Sequence, residues 1–321
     1  MDHNQHEAGS ISITKKQMIT ITQTQTMMKK SIITIITITF ALLVNLKAEA
    51  QQDPNFTLYN FNMNLINPAF AGSTDVKQIS LGYRSQWIGI NDAPNTQAIN
   101  YTSPLNKGLG LGISLVRDQV FVLQETDLTV DVSYKLQLSE THDLFFGVKT
   151  GASIVNIDLN KAGAQGNDPL FTQNQSFINT QFGAGAYLRH ENYYVSISSP
   201  NFLNGKRYVK QGNAPRAAVD NLHMYYGAGY HFTINENVKI TPAVMHRSTQ
   251  GAPSSTDVNA TVQYNKIQAG MNYRVDEMYS IFTLFDIMQN VRFGAAYDFT
   301  TSDVNQVNNN GSIEMMIRYQ F

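Results

Sequence analysis

The chain has 321 residues, no cysteine, 15% charged residues and a formal net charge of −1. The missing cysteines exclude disulfides, thiolate metal sites and a lipid-modified N-terminal cysteine, and the near-zero charge offers no basic footprint for nucleic acid. Soluble domains carry about 25% charged residues, so this chain is charge-poor.

Residues 1–26, rich in Thr, Gln and Ile, match neither a domain nor a targeting signal. From Met27 the pattern changes: Lys29 and Lys30 form a basic region, Ser31 to Leu46 is mostly apolar, and Ala48-Glu49-Ala50 fits a small-residue cleavage site. This is the order of a secretory signal peptide. Thr34, Thr37, Thr39 and Asn45 interrupt the apolar stretch, which falls short of the ~20 residues of a membrane helix. Cleavage is expected after Ala50, with translation starting at Met27 or Met28 and residues 1–26 an upstream extension. Nothing downstream is long and apolar enough for a membrane helix, so the exported chain spans a membrane, if at all, as strands.

Fourteen segments alternate or nearly alternate between apolar and polar residues: 77–88, 95–103, 109–119, 126–138, 143–155, 177–189, 193–199, 222–234, 237–247, 257–264, 266–275, 278–288, 291–299 and 311–321. In the fourth, Leu128, Val130, Val132, Tyr134, Leu136 and Leu138 face one way, and Asp127, Thr129, Asp131, Ser133, Lys135 and Gln137 the other. Successive side chains on a strand point to opposite faces, so one face meets hydrocarbon and the other water. Most segments reach the ~9–11 residues of a tilted membrane strand, against about 5–6 in globular proteins. The last segment alternates through Ile313, Met315, Ile317, Tyr319 and Phe321. An apolar closing strand ending on Phe is the usual assembly signal of outer-membrane barrels, carried here by Tyr319 and Phe321.

Short turns at Ser139–His142, His190–Asn192, Asn235–Glu236, Asn265 and Gln289–Asn290 take turns with longer polar connections at Asn156–Ser176, Pro200–Asn221, Ser248–Thr256 and Thr300–Asn310. This is the rhythm of periplasmic turns and extracellular loops; the short turn at Asp276–Glu277 departs from it. The expected fold is all-β: a transmembrane, up-and-down antiparallel barrel of about 14 strands over 77–321, both ends in the periplasm. Tyr101, Tyr134, Tyr187, Tyr230, Tyr264, Tyr273, Tyr297 and Phe299 fit aromatic girdles at the two interfaces, or ordinary β-propensity.

Before the first strand lies a non-strand arm, 51–76, expected on the periplasmic side. It holds Gln52-Asp53-Pro54, then Ile66-Asn67-Pro68-Ala69-Phe70-Ala71-Gly72, where Asn67-Pro68 disfavours helix and Gly72 permits a bend. Tyr83-Arg84-Ser85-Gln86-Trp87, Ala93 to Gln97, Ser103-Pro104-Leu105, the series Gly108/Gly110/Gly112 and Tyr319-Gln320-Phe321 follow in order. Together these resemble the PorP/SprF family of outer-membrane proteins of the type IX secretion system, densest over 52–117. The resemblance implies a barrel that works by binding. Its partners would be other secretion components in periplasm and outer membrane, the lipid bilayer, or secreted cargo with a C-terminal sorting domain, such as a gliding adhesin held at the cell surface. Asn67, Pro68, Ala69, Gly72, Arg84 and Trp87 are its motif residues and candidate partner contacts. The alternative is a diffusion pore for small solutes.

No cofactor or metal is expected. His223 and His231 share a strand face but stand ~26 Å apart at ~3.3 Å per residue; His142-Asp143 would face opposite ways and makes a poor dyad. The Gly108/Gly110/Gly112 series has a period of two, which on a strand makes a small-residue lumen face that lets the wall curve or another segment pack closely. Arg84, Arg292, Asp298, Glu314 and Arg318 fall on polar faces. Strands one and fourteen pair on closure, which brings Arg84 toward Glu314. This set is either an inward ion-pair network or a surface for a plug or passing segment. The arm 51–76 either plugs the lumen or docks a periplasmic partner.

Overall fold

The computed structural model describes residues 56–159, 161, 174–203, 222–249, 253–301 and 310–321. The signal peptide, its cleavage after Ala50, the start at Met27 or Met28, the Gln52-Asp53-Pro54 motif and most of the loops at 156–176 and 200–221 lie outside them.

Among the described residues fourteen strands run β1 (Gln78–Ser85), β2 (Asn95–Pro104), β3 (Leu109–Val120), β4 (Leu123–Gln137), β5 (His142–Ile157), β6 (Gln175–His190) and β7 (Tyr193–Ser199). They continue as β8 (His223–Tyr230, resuming at Phe232–Thr233), β9 (Val238–Thr249), β10 (Ser255–Tyr264), β11 (Ile267–Arg274), β12 (Met278–Met288), β13 (Val291–Thr300) and β14 (Ser312–Gln320). Each pairs antiparallel with its sequence neighbours, and β14 pairs with β1 from Gln78↔Gln320 to Ser85↔Ile313. The sheet is a closed barrel, so no strand edge is left unpaired in the membrane.

The alternation sets the two faces. On β4, Leu128, Val130, Val132, Tyr134 and Leu136 are exposed outward, while Thr129, Asp131 and Ser133 are buried toward the lumen. The girdle expectation needs one correction. Tyr134, Tyr230, Tyr264, Tyr273 and Phe299 are exposed on the outside, but Tyr187 faces inward and stacks on Phe70, ring centroids 3.9 Å apart. Its neighbours Ala186 and Leu188 hold the outward positions, so the strand's period puts Tyr187 on the lumen side.

Two further differences come from turn chemistry. The β3 and β4 strands run closer together than the gap at 120–125 between the expected segments, leaving only Phe121-Val122 between them, with Phe121 at φ 53°. Gly108 belongs to a 3₁₀ turn, Asn106–Gly108, at φ +77°, and not to the strand face. β4, β5 and β6 have 15, 16 and 16 residues against 7 to 12 elsewhere. Their long-loop ends carry a small apolar cluster of Val155, Ile157 and Leu159 with Val122, Leu123 and Phe177.

Residues 56–73 lie inside the barrel. Three 3₁₀ turns, Tyr59–Phe61, Met63–Leu65 and Pro68–Phe70, fold the segment compactly. Asn67 caps the third: its side-chain oxygen accepts the Ala69 N–H at 2.9 Å, and Pro68 at the first helical position loses no needed donor. Gly72, at φ +62°, then turns the chain against Ser103 and Gly110 before it leaves for β1.

Candidate functional site

The lumen is where polar strand faces converge, and the segment 56–73 occupies it. At the β1–β14 seam, Arg84 Nη1 lies 2.6 Å from an Asp298 oxygen and 3.1 Å from Glu314 Oε2, with all three side chains buried. Glu314 also accepts the N–H groups of Thr57 and Leu58, at 2.6 and 3.2 Å. The Thr57 hydroxyl donates to Asp298 Oδ1 at 2.8 Å and accepts from Arg84 at 3.0 Å. One guanidinium and two carboxylates are thus desolvated together. Such a group is tolerated only when its hydrogen bonds are filled, and the chain's own segment fills part of them.

On a second side of the lumen the pattern repeats. Lys149 Nζ, on β5, sits 3.0 Å from an Asp131 oxygen on β4, and Asn64 donates to Asp131 Oδ2 at 3.0 Å. Lys149 also donates to the Asn64 carbonyl at 3.3 Å. Asn67 reaches the Ala186 and Ile197 carbonyls, at 3.3 and 3.4 Å, Ser198 donates to the Ile66 carbonyl and Ser133 to that of Ala71. Arg189 donates to the Ser73 carbonyl at 2.7 Å. On a third side Asn259 of β10 donates to the Tyr59 hydroxyl at 2.9 Å. Burial of Tyr59, reinforced by Asp257, pushes its phenol above the ordinary range, so it stays neutral.

Apolar contacts complete the fit. Leu58, 0% exposed, packs on Phe282, Leu284, Ala296 and Met316, and Tyr59 and Met63 pack on Tyr225 and Met245. These wall residues point inward, where a water-filled lumen would want polar groups. The wall also makes room: a Cβ added at Gly110 would strike the Ala71 carbonyl, at Gly147 the Pro68–Ala69 backbone, and at Gly185 the Asn67 side chain. Glycine at these three positions permits that backbone approach.

Of the charged set, Arg84, Asp298 and Glu314 come together and the two other arginines do not join them. Arg292 pairs with Asp286 of β12 at 2.7 Å. Arg318 donates to Ser80 at 3.1 Å and to Asn62 of the segment at 3.4 Å. Trp87 lies just past β1 at φ 49°, its N–H bonded to Ser312. A third buried ion-pair site, Arg274 and Asp257 at 2.7 Å, went unpredicted, as did the ring cluster of His142, His190 and Tyr193 at the short turns. Both were legible only through register, since His142 faces His190 across β5–β6. Among the described residues no cluster of three His, Asp or Glu is arranged to hold a metal.

The family model of the type IX secretion system membrane protein PorP/SprF matches residues 48–319. No curated protein matches the chain. Among solved structures, a channel described as the CymD monoaromatic hydrocarbon channel aligns with TM-score 0.51 and 11% identity, over 84% of this chain and 94% of the channel. A triple mutant of the Rhodopseudomonas blastica porin aligns at TM-score 0.35 and 10% identity, over 77% and 99%. The NanC porin aligns at 0.38 and 12%, over 76% and 98%. At such identities the likeness to the first is one of fold alone.

Proposed function

The chain belongs to the PorP/SprF family of type IX secretion system membrane proteins, and from that premise we propose that it is a plugged outer-membrane barrel that works by binding. It couples secretion components on its periplasmic side to cargo at the cell surface, and it neither passes solutes nor turns over a substrate. The observation that carries this reading is the occupied lumen: residues 56–73 are bonded to the wall on three sides. A diffusion pore needs a continuous water path, and apolar inward residues such as Leu284 and Met316 are matched to the segment and not to water. In this reading the short turns and the C-terminus lie in the periplasm, and the 156–176 and 200–221 loops face outward toward cargo. Asn67, Pro68, Ala69 and Gly72 act by seating the plug.

The test is affinity purification of the tagged protein from native outer membranes in mild detergent, with mass spectrometry of its companions. We expect periplasmic secretion components, or a large protein with a C-terminal sorting domain, to come along. A barrel recovered alone, together with open-channel conductance, would overturn the binding reading in favour of the pore.

A further inference from the structure

Among the described residues the plug leaves part of the lumen unfilled. At the short-turn end a cavity of ≈ 280 Å³ lies between the plug and the inner faces of β6 to β11. It opens beside a wider mouth of ≈ 410 Å³ that shares Tyr187, His231 and Lys239. The inner cavity is at the lower edge of the ~300–1,000 Å³ of ligand pockets, room for a terminal residue but not for a folded element.

Its chemistry is directional. The plug supplies an apolar floor of Phe61, Met63 and Phe70. The wall supplies a row of rings, Tyr187 to Tyr194 at 6.2 Å and Tyr194 to His231 at 6.0 Å. The row ends at Lys239, whose ammonium makes no ion pair or hydrogen bond among the described residues. The Tyr187 and Tyr194 hydroxyls are likewise unbonded there. His231 uses Nδ1 on Thr241, 3.0 Å away, and Nε2 has no partner among the described residues. A lysine and two phenols are donors, so the inner cavity asks for a negatively charged acceptor. The mouth has the opposite sign. Asp143 is held by Arg189 at 2.7 Å, but Glu140 and Glu191 stand at the rim with no ion pair among the described residues.

Resting on the periplasmic placement proposed above, we propose that this vestibule binds the C-terminal end of a partner polypeptide, its carboxylate at Lys239 and an apolar last side chain on the Phe61–Met63–Phe70 floor. A segment following it out carries no second negative charge where it passes Glu140 and Glu191. Because the plug forms the floor, the ligand binds only the plugged barrel, and by linkage it stabilises that state.

The test uses the full-length protein in detergent and a fluorescent, otherwise neutral octapeptide ending in phenylalanine, as free acid and as carboxamide. We expect the acid to bind at least tenfold more tightly. Lys239→Met should abolish that preference, and Lys266→Met, in a turn outside the cavity, should leave it intact. Equal binding of acid and amide, no binding of either, an unaffected Lys239→Met protein, or equal competition by inorganic phosphate would each overturn the proposal. The same two variants, purified from native membranes, separate the levels. Secretion components retained by a protein that ignores the peptide would sink the vestibule site and leave the binding function standing.

Discussion

Replacing Arg84 by methionine tests the seam most sharply. The substitution keeps most of the side-chain volume and removes the one cation shared by Asp298 and Glu314, at 2.6 and 3.1 Å. Asp298 and Glu314 are 1% and 4% exposed, so solvent cannot take over. Breaking a buried pair by deleting one partner costs about 3–5 kcal/mol. Here two carboxylates are stranded, which points to the upper end. The Thr57 and Leu58 N–H groups still bond Glu314 and offset part of the loss, so we expect about 4 kcal/mol. The assay is reversible urea unfolding of the barrel refolded into lipid vesicles, followed by tryptophan fluorescence; Trp87, the single tryptophan, lies beside the seam. Adding Asp298→Asn and Glu314→Gln should recover most of the loss, since no charge is then left unpaired. A loss below about 1 kcal/mol, the scale of an exposed pair, or failure of the neutral pair to rescue, would refute the reasoning. Secretion measured on the same variants separates two roles for the cluster: if only stability falls, it is structural.

Three further outcomes follow from the same packing. Gly147→Val should expel the plug at Pro68–Ala69 and make that segment accessible to added protease, whereas Gly82→Ala, whose new methyl would meet Ala98 at 3.7 Å, should leave it protected. Met316→Ala, at 1% exposure against Leu58, should cost about 2–4 kcal/mol in the urea assay through the cavity it opens. Deleting Phe321, which is 65% exposed, should lower the amount of barrel assembled in cells while the refolded protein keeps its stability to within about 0.5 kcal/mol.

The barrel was legible because its physics is local. A period of two and strand lengths beyond the globular mean lie on the sequence itself, and the observed strands fall within a few residues of those read from it. The β3–β4 turn was missed because Gln124 and Glu125 are polar without being loop: they pair with Gln119 and Asp118 of β3. The plug contacts were not local. Asn64 and Asp131 are 67 positions apart, and Thr57 and Glu314 are 257, so nothing short of the closed register joins them. A signal did exist on β12, where Phe282 and Leu284 face inward while Ile281 and Phe285 face lipid. A membrane strand apolar on both faces must bury the inner one against something other than water. Met316, between Glu314 and Arg318 on the otherwise polar face of β14, said the same in one residue.

The occupied lumen is tested most directly by the conductance of the full-length protein in a planar bilayer. We expect no stable open-channel current from the intact barrel, and discrete steps from a variant lacking residues 51–73 that still inserts. Ohmic current through the intact protein, unchanged by that deletion, would contradict a plugged barrel that works by binding.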